Sequence, residues 1–363
     1  MESQKRRLRV GVLFGGRSGE HEVSLASAMS VLRAMDLEKY RLVPIGITRE
    51  GRWLSRGELE GGPEGEQLRV EGEPVSLLAD SGAPGDVGPL DVVFPILHGT
   101  YGEDGSVQGL LEMAGVPYVG SGVAASAVAM DKVLLKLVLS AAGLAVGPYR
   151  VVTRDQWEAD PVGVRRTLEA AFDYPWFTKP ANLGSSVGIS KVHGPDELAA
   201  AMNDAAEYDR KIVVEQGISQ AREIEVAVLG NEAPEASICG EILPSREFYD
   251  YAAKYVDGSS ELLVPSPLPA AVADAIREQA RRTFSAVDAA GLGRVDFLVR
   301  GSDLSIFVNE INTMPGFTEI SMYPKLWSAS GLTYGGLIDR LIALALQRHR
   351  DRQRNRVDFD LPT

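Results

Sequence analysis

The chain reads as a mixed α/β and α+β protein of two or three domains, and three features predict that class. Its opening runs strand, glycine turn, helix, strand, the pattern of a parallel sheet whose ligand-facing loops lie at the strand carboxyl ends. A middle stretch alternates helices and short strands over about ninety to a hundred residues, the size of one compact α+β unit. Near the C-terminus two strand-like runs flank a tight polar loop, as in an antiparallel hairpin. At 363 residues the chain exceeds what one small core can organise.

The first strand is predicted over 8–14 (LRVGVLF), an alanine- and serine-rich helix over about 22–35, and a second strand over 41–47. From 55 to 88 glycine, proline and glutamate dominate, which reads as a surface excursion rather than core. Order resumes with a strand at 90–94, the loop HGTYGEDG, a helix near 106–114 and the turn VPYVGSG, with a domain boundary close to Gly120. The next block places helices over 131–142, 161–172 and 195–206 among strands at 149–152, 176–179, 188–192 and 211–215. Strands at 223–229 and 236–243 follow, then an irregular segment over 244–261, a long helix at 270–290, the hairpin, and an amphipathic helix over 334–348.

Composition excludes several functional classes. Hydrophobic residues make up 45% and charged residues 24%, a globular balance. No apolar run approaches a bilayer span, and Lys5, Arg6, Arg7 and Arg9 lead straight into the first strand rather than into a leader core. A cytoplasmic protein with no membrane partner is expected. The single cysteine, Cys239, rules out an intramolecular disulfide framework and reads as a small buried side chain. A net charge of −13 argues against nucleic acid as a partner, though a small phosphorylated ligand needs only a few local cations and a metal. The basic run QRHRDRQRNR reads as the solvated end of the last helix, where cations suit the dipole.

The hairpin carries the clearest chemistry. Side chains alternate along a strand, so Arg294 and Asp296 share one face, as do Glu310 and Asn312. Folding about Asp303 sets Asp296 opposite Glu310 and Arg294 opposite Asn312. Two carboxylates and an amide oxygen beside a guanidinium suit Mg²⁺ together with a phosphate or oxyanion; the same residues also suit a charged solvent face. In KPANLGSSVGISK the backbone N–H groups of Gly184, Ser185, Ser186 and Val187 can wrap a phosphate chain, although the loop matches neither a Walker nor a dinucleotide pattern. Lys179 ends an aromatic-apolar strand and must reach an anion or solvent. Lys132 opens a helix, and Lys136 reads as a surface lysine. Glu215 and Glu223 bracket Gln216–Gly217–Ile218, an edge segment suited to an adenine edge with a carboxylate for ribose hydroxyls. Glu20 and Glu22 suit a helix N-terminus through the dipole, or Glu20 holds a ligand's ammonium. His98 reads as a turn residue or a polar group of the site, and four scattered histidines argue against zinc.

GGRSGEHEVS, HGTYGEDG, MDK, KPANLGSSVGISK, FYDYAAKY, GRVDF and NEINTMPGFTEISMYP occur in the order and spacing of D-alanine–D-alanine ligases. The chain resembles that family, within the ATP-grasp superfamily, over residues 8–346. The resemblance implies a three-domain ATP-grasp architecture with an N-terminal parallel-sheet, pre-ATP-grasp domain at 1–120 that binds substrate. Central and C-terminal ATP-grasp domains at 121–218 and 219–363 would follow, the latter with a mobile loop at 244–261 and the catalytic hairpin at 293–316. It implies ATP phosphates on Lys132, Lys179, Ser185, Ser186 and Val187, adenine and ribose on Glu215, Gln216, Ile218 and Glu223, and Tyr249 and Lys254 of the loop toward the nucleotide. Asp296, Glu310 and Asn312 would hold two Mg²⁺ ions, with Mn²⁺ as an alternative and a monovalent cation as a further ion. Glu20, beside His98, would anchor the first D-alanine's ammonium. Arg294 and the Gly316 N–H would form an oxyanion hole, and Ser321, Met322 and Lys254 would meet the second substrate. Ser185 and Tyr255 would join Glu20 in a hydrogen-bonded group near the attacking amine.

The implied reaction joins two D-alanine molecules through a D-alanyl phosphate, for peptidoglycan synthesis, in a homodimer formed through the N-terminal domain. The rivals are a ligase taking D-lactate or D-serine second, against which Tyr255 speaks, and a non-catalytic ATP-binding regulatory protein on the same fold. Thr178 and Trp176 depart from the family pattern beside Lys179, which points to altered strand packing there.

Overall fold

The computed structural model describes residues 6–63, 65, 67–76, 87–184, 187–243 and 261–356. The expectations for Ser185, Ser186, Tyr249, Lys254, Tyr255 and the loop at 244–260 lie outside the described residues.

Three sheets succeed one another along the chain. The first comprises β1 (Leu8–Gly15), α1 (His21–Ala34), β2 (Tyr40–Ile47), β3 (Trp53–Ser55), β4 (Glu73–Pro74) and β5 (Val92–Pro95), in the strand order β4-β3-β2-β1-β5. Strand β1 runs parallel to both β2 and β5, and β3 and β4 extend the sheet antiparallel. As the central parallel strand, β1 buries both faces, which is why it reads as a continuous apolar run. Val10 and Val12 pack with Val31 and Leu32 of α1, while Leu13 meets Val43, Ile45 and Leu111 on the other side. Helices α2 (Ser106–Met113), α3 (Val123–Met130) and α4 (Lys132–Ala141) lead onward.

The second sheet holds β6 (Tyr149–Thr153), α5 (Arg154–Ala159), α6 (Pro161–Glu169), β7 (Trp176–Pro180), β8 (Ser190–Val192), α7 (Pro195–Tyr208) and β9 (Lys211–Gln216), in the antiparallel order β6-β9-β7-β8. A capping box between Thr153 and Gln156 turns β6 directly into α5. Trp176 is fully buried, stacked on Tyr174 at 4.0 Å and edge-on to Phe172. Thr178 donates its hydroxyl to the Ala201 carbonyl at 3.3 Å. The two departures from the family pattern are therefore packing substitutions facing α7, on the side of β7 away from Lys179.

The third sheet contains β10 (Ala221–Gly230), β11 (Glu235–Leu243), β12 (Glu261–Leu263), α8 (Ala270–Ala286), β13 (Gly291–Arg300) and β14 (Ile306–Asn312), followed by α9 (Met322–Ala329) and α10 (Tyr334–Arg352). Its order is β12-β11-β10-β13-β14, all antiparallel. Leu337, Leu341 and Ile342 of α10 share one core with Val92 and Phe94 of the first sheet and Ala227, Leu229 and Leu292 of the third. That common core fixes the loops of the first sheet against the hairpin. Among the described residues no helix is long and apolar enough to cross a membrane.

Several elements escaped sequence reading. Helix α3 (VAASAVAM) has no polar stripe to reveal a period, and α9 (MYPKLWSA) carries Pro324 in its first turn, where proline is tolerated. The helix expected to reach residue 290 stops at Ala286, Asp288 adopts a left-handed φ of 57°, and β13 begins at Gly291. The basic run is not wholly solvated: Arg348 sits 4.2 Å over the Tyr118 ring and Arg352 pairs with Glu112 at 2.7 Å.

Candidate active site

Strands β13 and β14 pair as their spacing predicts, Arg294 opposite Asn312 and Asp296 opposite Glu310. A bulge at Asn309 then shifts the register so that Phe297 faces Val308. The bulge has a physical purpose: it lets Val308 and Ile311, three apart, both point into the core beside Val295, Phe297 and Val299. Glu310 and Asn312 are left on the opposite face with Arg294 and Asp296. The neighbouring strand β10 adds Glu225 opposite Asp296 and Glu223 opposite Leu298.

Arg294 binds Asp296 through two hydrogen bonds, Nε to Oδ1 at 2.7 Å and Nη2 to Oδ2 at 2.6 Å, and its Nε lies 3.0 Å from Glu225 Oε2. Asn312 Nδ2 donates to Asp296 Oδ2 at 3.1 Å. Burial alone would lower the Arg294 guanidinium, but Asp296, Glu225 and Glu310 hold it well above its ordinary value. A small cavity of about 60 Å³ opens on this face, bordered by Glu223, Glu225, Asp296 and Glu310. Among the described residues this face gathers four carboxylates around one guanidinium, an oxygen-rich donor set of the kind a hard cation takes. Among the described residues no three His, Cys, Asp or Glu side chains form a ready-made metal site, and both Asp296 oxygens face Arg294. The donor set fits a divalent ion, provided that Asp296 turns from the arginine toward it.

The second sheet supplies cations. Lys179 Nζ lies 3.0 Å from Glu215 Oε2, and Lys136 Nζ lies 3.1 Å from Glu215 Oε1. Lys136 is buried, contrary to the expectation of a surface lysine. The helix period explains the error: Lys132, Leu135, Lys136 and Leu139 form the inward face of α4, whereas Leu134 and Leu137 are exposed. Burial would raise the Glu215 carboxyl, but the two ammonium groups hold it down at about 2. Lys132 Nζ donates to the Leu183 carbonyl at 2.6 Å, at the entrance to the glycine–serine loop. Glu223 borders the carboxylate-lined cavity rather than Glu215, and the Gln216 and Gly217 N–H groups bond to Pro148 and Pro175 carbonyls at 2.9 and 2.8 Å.

The first sheet contributes an acidic pair. Glu20 occupies the N-cap position of α1 yet makes no side-chain cap hydrogen bond. Its carboxylate instead turns toward Gly99 and the loop of the second sheet; a Cβ on Gly184 would lie 3.5 Å from Glu20 Oε2. Glu22 points away and pairs with Arg49. Glu103, unremarked in the sequence although it stands in HGTYGEDG, accepts from the Gly99 N–H at 2.7 Å and the Met314 N–H at 3.2 Å. Burial and then the neighbouring Glu20 push it up to about 8. His98 is buried, and that burial lowers its value. Its Nδ1–H donates to the Met314 carbonyl at 3.0 Å, leaving Nε2 to accept from the Ser27 hydroxyl at 3.1 Å. Ser27 Oγ also accepts from the Phe317 N–H at 3.4 Å, tying the first sheet to the segment holding Gly316.

Ser321 stands at the N-cap position of α9 without a side-chain cap hydrogen bond, its hydroxyl lying 2.7 Å from Thr318 Oγ1. A Cβ at Gly316 would come within 3.2 Å of Ser321 Oγ, so the glycine keeps that hydroxyl accessible. The Met322 side chain is core, packed on Gly240, so only its backbone can meet a substrate. Cys239 is buried and its thiol is pushed up to about 11 by that burial, which leaves it inert.

Lysines gathered on Glu215 and Leu183 at the second sheet, with a carboxylate-and-arginine hairpin on the third, are the equipment of an ATP-dependent ligase of the ATP-grasp fold, the class to which the chain belongs. Family models for the D-ala D-ala ligase N-terminus and C-terminus match residues 9–121 and 138–343. A D-alanine–D-alanine ligase of Natranaerobius thermophilus is 47% identical, covering 98% of this chain and 99% of that protein. The solved D-alanine–D-alanine ligase from Coxiella burnetii superposes with a TM-score of 0.81 at 38% identity, covering 96% of each chain. The VanG D-Ala:D-Ser ligase from Enterococcus faecalis superposes at 0.80 with 34% identity, covering 94% of this chain and all of that one. The chain belongs to the D-alanine–D-alanine ligase family. The family uses ATP and a divalent metal.

Proposed function

We propose that the protein joins two D-alanine molecules at the expense of ATP, in the cytoplasm, to supply D-alanyl-D-alanine for peptidoglycan. The observation that carries this reading is convergence: Glu20 beside the first sheet reaches the Gly184 backbone beside the second, and Glu103 accepts from the Met314 N–H just beyond the Arg294 hairpin of the third.

In the proposed division of labour the nucleotide lies between the second and third sheets, within a three-part chain of 1–120, 121–218 and 219–363. Lys132 and Lys179 contact its phosphates with the backbone from Gly184 to Val187. Glu215, Gln216 and Ile218 meet adenine, and Glu223 meets ribose. Asp296, Glu310 and Asn312 are the ligands for two Mg²⁺ ions, or Mn²⁺, which when bound neutralise the transferring phosphoryl group. Glu20 anchors the ammonium of the first D-alanine, with His98 and Glu103 forming the buried wall behind it. That substrate's carboxylate is a poor electrophile until it accepts a phosphoryl group and becomes an acyl phosphate. The neutral amine of the second D-alanine then attacks the acyl carbon, Arg294 and the Gly316 N–H stabilise the resulting oxyanion, and its collapse breaks the C–O bond to phosphate, which leaves as the amine gives up a proton. The Ser321 hydroxyl and the N-terminus of α9 receive the second carboxylate. Ser185 and Tyr255 complete the proposed group around the amine, and the loop at 244–260 is the proposed cover. A homodimer is proposed as the working form.

Purified full-length protein should release ADP only when D-alanine is present. Mass analysis with D-alanine alone, and with added D-lactate or D-serine at several pH values, identifies the second substrate. Predominant depsipeptide at neutral pH, or preferential D-alanyl-D-serine, would overturn the choice. ADP release indifferent to D-alanine would favour a regulatory nucleotide-binding protein.

A further inference from the structure

Glu215 is a buried carboxylate held by two ammonium groups, although one would neutralise it. The two are not equivalent. The Lys136 side chain is 2% exposed, fixed on the inner face of α4 with its Nζ 5.5 Å from the centre of the Tyr149 ring. Helix α4 is itself pinned, because Asp131 accepts from the Val133 and Leu134 N–H groups at 3.0 and 3.2 Å and pairs with Lys211. Lys179 is 13% exposed and stands near the end of β7, where the chain enters the glycine–serine loop. A lone pair between Glu215 and Lys179 would resist separation, since removing one partner of a buried ion pair leaves an uncompensated charge.

We propose that Lys136 is a positioning residue: it is the standing counter-ion of Glu215, which frees Lys179 to transfer from Glu215 to a nucleotide phosphate. This rests on the nucleotide reading above. With Lys136 in place, Lys179 departs from a carboxylate that stays neutralised, and Glu215 Oε2 becomes an open acceptor. Without Lys136, Lys179 is the sole charged partner of a buried carboxylate among the described residues and remains pinned there.

The consequence is specific to phosphate. Adenosine does not ask Lys179 to move; ADP does. In Lys136→Met, ADP affinity should fall about 100-fold or more, as expected when a buried charge must be left unpaired. Adenosine affinity should stay within about threefold, and Lys136→Arg should restore most of the ADP affinity. Ligand-observed NMR titration of the full chain with adenosine, and with ADP plus divalent cation, reads both. Equal loss of both ligands would mean that Lys136 merely shapes the base pocket, and no loss of either would mean that it does nothing for binding; each overturns the proposal. Parent protein that binds neither ligand would refute the nucleotide reading itself, and the proposal with it. Should Lys136→Met fail to fold, Glu215→Gln offers a second background in which Lys179 has no carboxylate to leave. Adding Lys136→Met there should cost no further ADP affinity, and an additional phosphate-specific loss would overturn the proposal.

Discussion

Gly99→Ala is the sharpest steric probe of the proposed first-substrate subsite. Gly99 adopts φ of +72°, and a Cβ built there would lie 2.6 Å from Glu20 Oε2. Ordinary carbon–oxygen contact is about 3.3 Å, so the carboxylate must retreat by roughly 0.7 Å. The left-handed backbone adds about 1–2 kcal/mol of strain for alanine. That strain should lower the melting temperature by a few degrees at most in a chain of this length. The catalytic effect should be far larger, because displacing a substrate anchor by about 1 Å can cost about 100-fold. The KM for D-alanine at the first subsite should therefore rise by about 10- to 100-fold, while the KM for ATP changes by less than about threefold, the lysines proposed to bind phosphate being on another sheet. Initial-rate kinetics with each substrate varied separately, alongside a thermal melt, measure all three quantities. A melting temperature lowered as expected, with D-alanine dependence unchanged, would refute the assignment of Glu20 as the ammonium anchor.

Three further outcomes follow from the same geometry. Arg294→Ala should lower kcat by about 100- to 1,000-fold through loss of an oxyanion donor, and Arg294→Lys should recover little because the Nε–Nη2 fork onto Asp296 is lost; a kcat within tenfold of the parent would contradict the role. Glu103 sits at about 8 rather than its ordinary 4.5 because of burial and then Glu20, so the folded state holds its proton more tightly than the unfolded one. Its contribution to stability is therefore fully favourable below about 4.5 and declines as pH rises toward about 8; Glu103→Gln should flatten the fall in melting temperature across that window, and an unchanged slope would count against it. Trp176→Ala should destabilise the second sheet by about 3–5 kcal/mol, read as a lower denaturant midpoint, because the ring is fully enclosed between Tyr174, Phe172 and the helices.

The hairpin was legible because strand geometry is local: alternation and loop position are enough to pair Asp296 with Glu310 and Arg294 with Asn312. The bulge at Asn309 was hidden, since it depends on which of Val308, Asn309 and Ile311 the core demands. Lys136 was misread because a lysine next to leucines suggests a surface, although the spacing of 132, 135, 136 and 139 already marked one face of a helix. Glu103 and Ser27 carried no local signal beyond ordinary turn and helix residues. Nothing local in the sequence distinguishes Glu225; the pairing of β10 with β13 sets it opposite Asp296.

By itself the sequence determined most strand and helix periods, the pairing of Arg294 with Asn312 and of Asp296 with Glu310, and a set of residue types suited to a phosphate and a metal. These follow from interactions among near neighbours, where spacing is geometry. Only the tertiary structure decided that Glu215 holds two lysines, that Glu20 turns from its own helix toward Gly99 and Gly184, and that Glu103 accepts from the Met314 N–H beyond the hairpin. Those contacts join residues far apart in the chain. They exist because α10 and the shared core press the first and third sheets together, and burial then makes each charge depend on its partner.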